Sequence, residues 1–137
     1  MSNFFENKVV AVTGGSDGIG KALVEKLLVL GAKVATCARN QDKLYDLQLS
    51  HSTMPLHCVV ADVSDYNSCA LFINSTIKQF GGIDILINNA GVSMRSLLKD
   101  AELEVFKKVM DINYFGSVYC TKLALPSILE RQGTIVA

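Results

Sequence analysis

Four glycines fall within the seven positions from Gly14 to Gly20, in the stretch VTGGSDGIGKAL between a short β-branched run and a helical pattern. Glycines at a strand-to-helix turn leave the unpaired N–H groups of the helix's first turn facing a space that side chains do not fill. An anion fits such a space, a pyrophosphate foremost. In this arrangement Gly14 allows the tight turn, Gly18 the close approach of a phosphate, and Gly20 the close packing of helix against sheet.

The rest of the chain supplies the context that such a turn needs. Short β-branched runs alternate with longer amphipathic ones: strands over Lys8–Thr13, Lys33–Ala38, Leu56–Ala61 and Ile83–Asn88, and helices over Ile19–Leu30 and from Asn40 to Leu49. A further helix is capped by Ser64, carries Cys69, Ile73, Ile77 and Phe80 on one face, and ends at Gly81 and Gly82. One helical pattern runs from Ala101 to Arg131, and GTIVA opens a fifth strand. Nearly continuous apolar strands alternating with helices predict parallel strands covered on both faces, a Rossmann-like doubly wound α/β sheet truncated at its fifth strand. Residues 1–137 therefore read as one dinucleotide-binding domain, incomplete at its C-terminus.

With 137 residues, half of them hydrophobic, the chain can bury a substantial core. Its 13 basic and 13 acidic residues cancel and form no block, which argues against nucleic acid or an anionic membrane as a partner. Cys37, Cys58, Cys69 and Cys120 lack the spacing of a zinc site and read as buried thiols, so no metal site is expected. The N-terminus has no signal-peptide pattern and no uncharged stretch reaches membrane-spanning length, so a cytoplasmic protein is expected.

The end of the second strand discriminates between dinucleotides, because the adenosine ribose lies there. The sequence reads CARN: no acid stands at Cys37 or Ala38 to hold a 2′-hydroxyl, and Arg39 follows. A guanidinium holds a 2′-phosphate by charge-assisted bonds, which favours NADP(H) over NAD(H). Asp17, an acid inside the glycine stretch, must point away from any phosphate.

TGGSDGIG, the ADV of Ala61–Val63, the NNAG of Asn88–Gly91 and Asn113 within MDINYFGSV together resemble, in order and spacing, the short-chain dehydrogenases/reductases. The resemblance covers the whole chain. It implies that Thr13 to Gly20, including Ser16, Asp17 and Ile19, bind the cofactor pyrophosphate, and that Asp62 and Val63 bind adenine. Asn89, Ala90 and Gly91 line the cofactor ribose and steady the fourth strand. Asn113 corresponds to the family's catalytic asparagine, where a helix kink frees a backbone carbonyl for a water in the proton relay. A poor helix former inside a helical pattern predicts the kink independently.

The resemblance also places a serine and a Tyr-x-x-x-Lys pair after the fifth strand. Tyr45, Tyr66, Tyr114 and Tyr119 all lack a lysine four positions on. The expected activity is hydride transfer between a nicotinamide and a small-molecule ketone or secondary alcohol, with this chain supplying the cofactor-binding part; a non-catalytic nucleotide-binding or partner-binding protein is the alternative. Ile112 to Pro126 carries one charge, Lys122, and is apolar on nearly all sides, so one face should meet the sheet and the other something beyond these residues: a second subunit, as the resemblance implies, or further parts of the same chain.

Overall fold

A computed structural model describes residues 3–137; Met1 and Ser2, which open the expected domain, lie outside them. Five strands, β1 (Val9–Thr13), β2 (Lys33–Ala38), β3 (Leu56–Val60), β4 (Ile85–Ile87) and β5 (Thr134–Val136), form one sheet in the order β3-β2-β1-β4-β5. All four pairings are parallel. Val10 of β1 stands between Val34 of β2 and Ile85 of β4, so the first strand in sequence is central in space. The helices are α1 (Gly18–Val29), α2 (Gln41–Ser50), α3 (Tyr66–Phe80), α4 (Leu103–Met110) and α5 (Gly116–Glu130).

The sheet splits the core in two, as a side-chain period of two requires. On one face Val10, Val12, Val34 and Ile85 pack against Val24, Leu27 and Leu28 of α1 and Leu47 of α2. On the other, Ala11, Ala35 and Leu86 pack against Phe72 and Ile73 of α3 and Cys120, Ala124 and Ile128 of α5. Both faces are covered, and the alternating pattern of the sequence is realised as a Rossmann-like sheet. Winding reverses between β1 and β4, and such a switch point opens a crevice at the carboxyl ends of the strands.

Several boundaries move for local reasons. Ser64 does not cap α3. Its N–H and hydroxyl both donate to Asp62 Oδ1, at 2.9 and 2.7 Å, and the cap passes to Asp65, whose carboxylate accepts from Ser68 N at 2.7 Å. β4 is shorter than the apolar run, and the side chain of Asp84 just before it is engaged: its Oδ2 accepts from Val9 N at 2.8 Å and from Arg131 Nη1 at 3.1 Å. That one carboxylate ties β1 to the end of α5.

The expected single helix over 101–131 is divided. A 3₁₀ turn over Leu98–Asp100 precedes α4, and a π-helical turn over Asp111–Phe115 joins α4 to α5. There Gly116 N donates to Asp111 O, five residues back, so the extra residue is accommodated without breaking the helix. The kink expected at Asn113 is this turn. Gly116, Cys120, Ala124 and Ile128 form the inner side of α5, while Tyr114, Phe115, Val118, Leu125 and Leu129 face outward and are exposed. Among the described residues, no helix is long and apolar enough to cross a membrane.

Candidate functional site

The crevice at the β1–β4 switch point is a cavity of about 590 Å³. Its walls come from the turn after β1 (Gly14, Ser16 to Gly20), the end of β2 (Cys37, Ala38, Arg39, Asn40), the end of β3 (Ala61, Asp62, Val63), the loop after β4 (Asn89 to Val92) and Ile112 of the π-turn. Of the residues singled out from the sequence for dinucleotide binding, Gly14, Ser16, Asp17, Gly18, Ile19, Gly20, Arg39, Asp62, Val63, Asn89, Ala90 and Gly91 line it, while Thr13 and Gly15, within the expected pyrophosphate stretch, do not. Cys37, Ala38, Ala61, Val92 and Ile112 join them unannounced, because an apolar wall carries no chemical signature in sequence.

The turn after β1 fits a bound phosphate by construction. Gly18 has a φ of +51°, and a Cβ there would meet nothing within 4 Å. The position is open on the cavity side. Gly14, at φ +72°, sits so close to the loop after β4 that a Cβ would lie 2.9 Å from Ala90 Cα. Gly20 brings α1 close against the strand ends: a Cβ there would strike the Gly14 carbonyl oxygen, just after β1, at 2.1 Å and Asn89 Nδ2, just after β4, at 2.4 Å. Gly15 is also tightly packed, between β2 and α1: its Cβ would lie 2.0 Å from Thr36 Oγ1 and 2.9 Å from Val24 Cγ2. Gly18 N, the first N–H of α1, donates to Asp17 Oδ1, and the other N–H groups of the first turn have no acceptor inside the helix.

Thr13 does not line the cavity. Its buried hydroxyl accepts from Asn89 N at 3.0 Å and Ala90 N at 2.9 Å, while Asn89 Nδ2 donates to the carbonyls of Thr13 and Gly14 at 3.1 and 3.2 Å. These four bonds fix the loop after β4 against the turn after β1, holding both walls at a set separation. Asn88 behaves otherwise than its neighbour: its Nδ2 donates to Thr121 Oγ1 of α5 at 3.1 Å.

Charges cluster at the outer end of the cavity. Asp62 is partly buried, which raises its pKa, yet the two bonds from Ser64 and the positive charges of Arg39 and Lys108 outweigh that and hold its carboxyl below the usual range. Asp17 is exposed and lines the cavity. Its Oδ1 accepts from Gly18 N at 2.8 Å, capping α1, and its Oδ2 pairs with Lys43 Nζ of α2. Those bonds hold its carboxyl below the usual range too. Beneath the cavity floor, burial pushes the Cys37 thiol up to about 12, so it stays a neutral apolar group.

Asn113 lies at the other end, across the loop after β4. Its Nδ2 donates to Val92 O and its Oδ1 accepts from Val92 N, both at 2.8 Å, a closed pair of bonds that mimics a strand neighbour. Its own carbonyl accepts from the Ser117 hydroxyl at 3.2 Å. The side chain is therefore committed to holding the loop. Asn113→Ala removes both contacts with Val92 at a cost of about 1–2 kcal/mol. Faster amide exchange over residues 91–97, with β1 and β2 unchanged, is the expected observation.

Residues 8–137 match the short chain dehydrogenase family. The chain is 41% identical over 138 residues to the dehydrogenase/reductase SDR family protein 7-like of Anopheles gambiae, covering 95% of this chain and 44% of that protein. It is 38% identical over 139 residues to the 11-beta-hydroxysteroid dehydrogenase-like 2 of Arabidopsis thaliana, covering 96% of this chain and 45% of the relative. Among solved structures, that of gox2181 superposes with a TM-score of 0.88 at 27% identity, covering 96% of this chain and 52% of the other. A Serratia marcescens short-chain dehydrogenase/reductase mutant superposes with a TM-score of 0.85 at 26% identity, covering 90% of this chain and 52% of the other. The chain thus spans less than half the length of the curated relatives it matches.

Proposed function

We propose, for a chain that belongs to the short-chain dehydrogenase/reductase family, that it forms the dinucleotide-binding part of an NADP(H)-dependent oxidoreductase acting on a ketone or secondary alcohol. One observation carries this reading: an open glycine turn, a cation at the end of β2 and an acid at the end of β3 converge on one cavity at the switch point of the sheet.

In this reading each wall has a task. The first-turn N–H groups of α1 and the turn from Gly14 to Gly20 hold the pyrophosphate, where Gly18 leaves room and the helix end favours negative charge. Asp62 accepts from the adenine amino group through the lone pairs not engaged by Ser64, and Val63 and Ile112 supply apolar contact. Asn89, Ala90 and Gly91 line the nicotinamide-side ribose. The bound cofactor supplies the hydride that is exchanged with the substrate carbon. Asn113 keeps the loop after β4 in place and offers its backbone carbonyl to a water that passes protons. The outward apolar side of the π-turn and α5, from Tyr114 to Leu129, meets a second copy of the protein.

Arg39 binds the 2′-phosphate. Arg39→Ala weakens NADPH binding by about tenfold or more, the value of a charge-assisted contact, and leaves NADH within about twofold. Titration of both dinucleotides by fluorescence reads this directly. Equal losses for the two remove the 2′-phosphate assignment, and no binding of either removes the dinucleotide reading as a whole.

A further inference from the structure

The cavity wall after β3 is gripped from behind. Val63 lines the cavity yet is only 9% exposed, so most of it meets the protein interior, where two helices reach it. From α3, the buried Cys69 thiol donates to the Val63 carbonyl oxygen at 3.3 Å. From α5, Gly116 comes so near that a Cβ on it would lie 2.9 Å from Val63 Cγ2, 3.0 Å from Val63 Cβ and 3.1 Å from the Val63 carbonyl oxygen. The Cys120 thiol of α5 hydrogen-bonds the Cys69 sulfur, which leaves the Cys69 S–H for Val63 and joins the two helices at this point.

We propose that Gly116 and Cys69 are positioning residues for the adenine end of the site: Gly116 lets Val63 sit back from the cavity, and Cys69 holds it there by its carbonyl. The inference rests on the reading that adenine lies against Val63.

Which neighbour yields to a side chain at position 116 decides the matter. α5 is held along its length. Cys120, Ala124 and Ile128 are packed in the core, Thr121 Oγ1 accepts from Asn88 Nδ2 at 3.1 Å, and Ser127 Oγ accepts from Ile83 N at 2.8 Å. At its start, Gly116 N donates to Asp111 O across the π-turn. The far side of Val63, by contrast, is open cavity. A methyl at 116 therefore moves Val63 toward the space that adenine fills, because a closely packed interior passes such a shift on instead of absorbing it.

Val63 does not move alone. Ser64 donates to Asp62 Oδ1 through both its N–H and its hydroxyl, and Asp65 N donates to Asp62 O at 3.0 Å, so the turn from Asp62 to Asp65 shifts as a unit. Cys69 restrains that turn from the other helix. A thiol is a weak donor, so its part is to fix where the Val63 carbonyl sits more than to add stability. Gly116 also closes the π-turn that carries Asn113, and both ends of the site are thereby referred to one backbone junction.

The test uses 5′-AMP, the adenine half of the dinucleotide, titrated calorimetrically so that stoichiometry separates weaker binding from unfolded protein. The forms compared are the wild type, Gly116→Ala, Val63→Ala, the double variant of these two, Cys69→Ala and Cys69→Ser. Gly116→Ala is expected to weaken 5′-AMP about tenfold at unchanged stoichiometry, the size of effect an overpacked contact produces. In the Val63→Ala background, which lacks the Cγ2 that the new methyl meets first, the same substitution is expected to cost less than about twofold. Cys69→Ala is expected to weaken 5′-AMP about threefold, and Cys69→Ser, which keeps a donor, to lose less.

A Gly116→Ala loss of the same size with and without the Val63 side chain overturns the proposal, since a general loosening of the fold does not depend on that contact. If Gly116→Ala does not fold, the Cys69 pair decides: a loss in alanine that serine regains sustains the proposal, and no loss or equal losses overturn it. If the wild type does not bind 5′-AMP, the placement of adenine fails and this inference falls with it. If the wild type binds 5′-AMP while Gly116→Ala and Cys69→Ala are silent, only this inference fails.

Discussion

Alanine at Gly20 lowers the stability of the protein by about 3 kcal/mol and abolishes dinucleotide binding, the upper end of what an overpacked site costs. The added methyl would lie 2.1 Å from the Gly14 carbonyl oxygen and 2.4 Å from Asn89 Nδ2. Neither neighbour can retreat freely. Gly14 is anchored by its N–H to Cys37 O at 2.8 Å, and Asn89 Nδ2 is shared between two carbonyls of the same turn. To admit the methyl, the turn after β1 must open, and the bonds that set the cavity's width go with it.

Gly18→Ala is the informative contrast. There the methyl meets nothing, and the cost is that of placing an L-residue at φ +51°, about 1 kcal/mol. That variant stays folded and loses dinucleotide affinity, since the methyl occupies the space a phosphate approaches. Urea unfolding and NADPH titration on the two variants separate a glycine that the fold needs from one that the ligand needs. Equal stability losses would show that the turn relaxes more easily than its hydrogen bonds imply.

The second large effect lies outside the cavity. Asp84→Ala costs about 3 kcal/mol, because it strands a buried backbone donor, Val9 N, and leaves Arg131 without its partner. Arg131→Ala costs about 1 kcal/mol: Asp84 keeps its bond to Val9 N, and the arginine is already partly in water, with 32% of its side chain exposed. The ordering of the two, read by urea denaturation, is the prediction. A reversed ordering would mean that the Arg131 guanidinium, packed over Gly82, contributes more than the carboxylate's bonds.

The contrast between Gly20 and Asp84 shows what the sequence carried. The strand and helix order, the sheet's parallel character and the cavity's polar residues were all legible, because each rests on local signals: β-branched runs, helical periodicity, and glycines where a strand becomes a helix. Asn113 was legible as a disturbance for the same reason. Asp84 was not, since its partners lie 75 and 47 residues away and nothing local marks the bond. Ser64 misled because the competition for its hydroxyl, won by Asp62, is a matter of geometry two residues back. Gly15 escaped notice beside three more familiar glycines, although it makes the closest approach of turn to β2. The pairing of Lys43 with Asp17 joins segments 26 residues apart and leaves no pattern to read.

The central place of β1 has a consequence for how the protein comes to be made. β1 is translated first of the strands, and one of its edges is filled by β2 after 24 residues, as Val10 meets Val34. Its other edge waits for β4, where Val10 meets Ile85, 75 residues on. At ribosomal rates of about 5–20 residues per second, that is an interval of roughly 4–15 s during which a strand buried at every residue in the folded protein has an open side. The nascent chain is at its most adhesive while α2, β3 and α3 are being synthesised, and Asp84, whose carboxylate takes the Val9 N–H, arrives one residue before the strand that ends the exposure. Parallel topology of this kind makes folding wait on translation, and β4 is the segment whose emergence ends the wait.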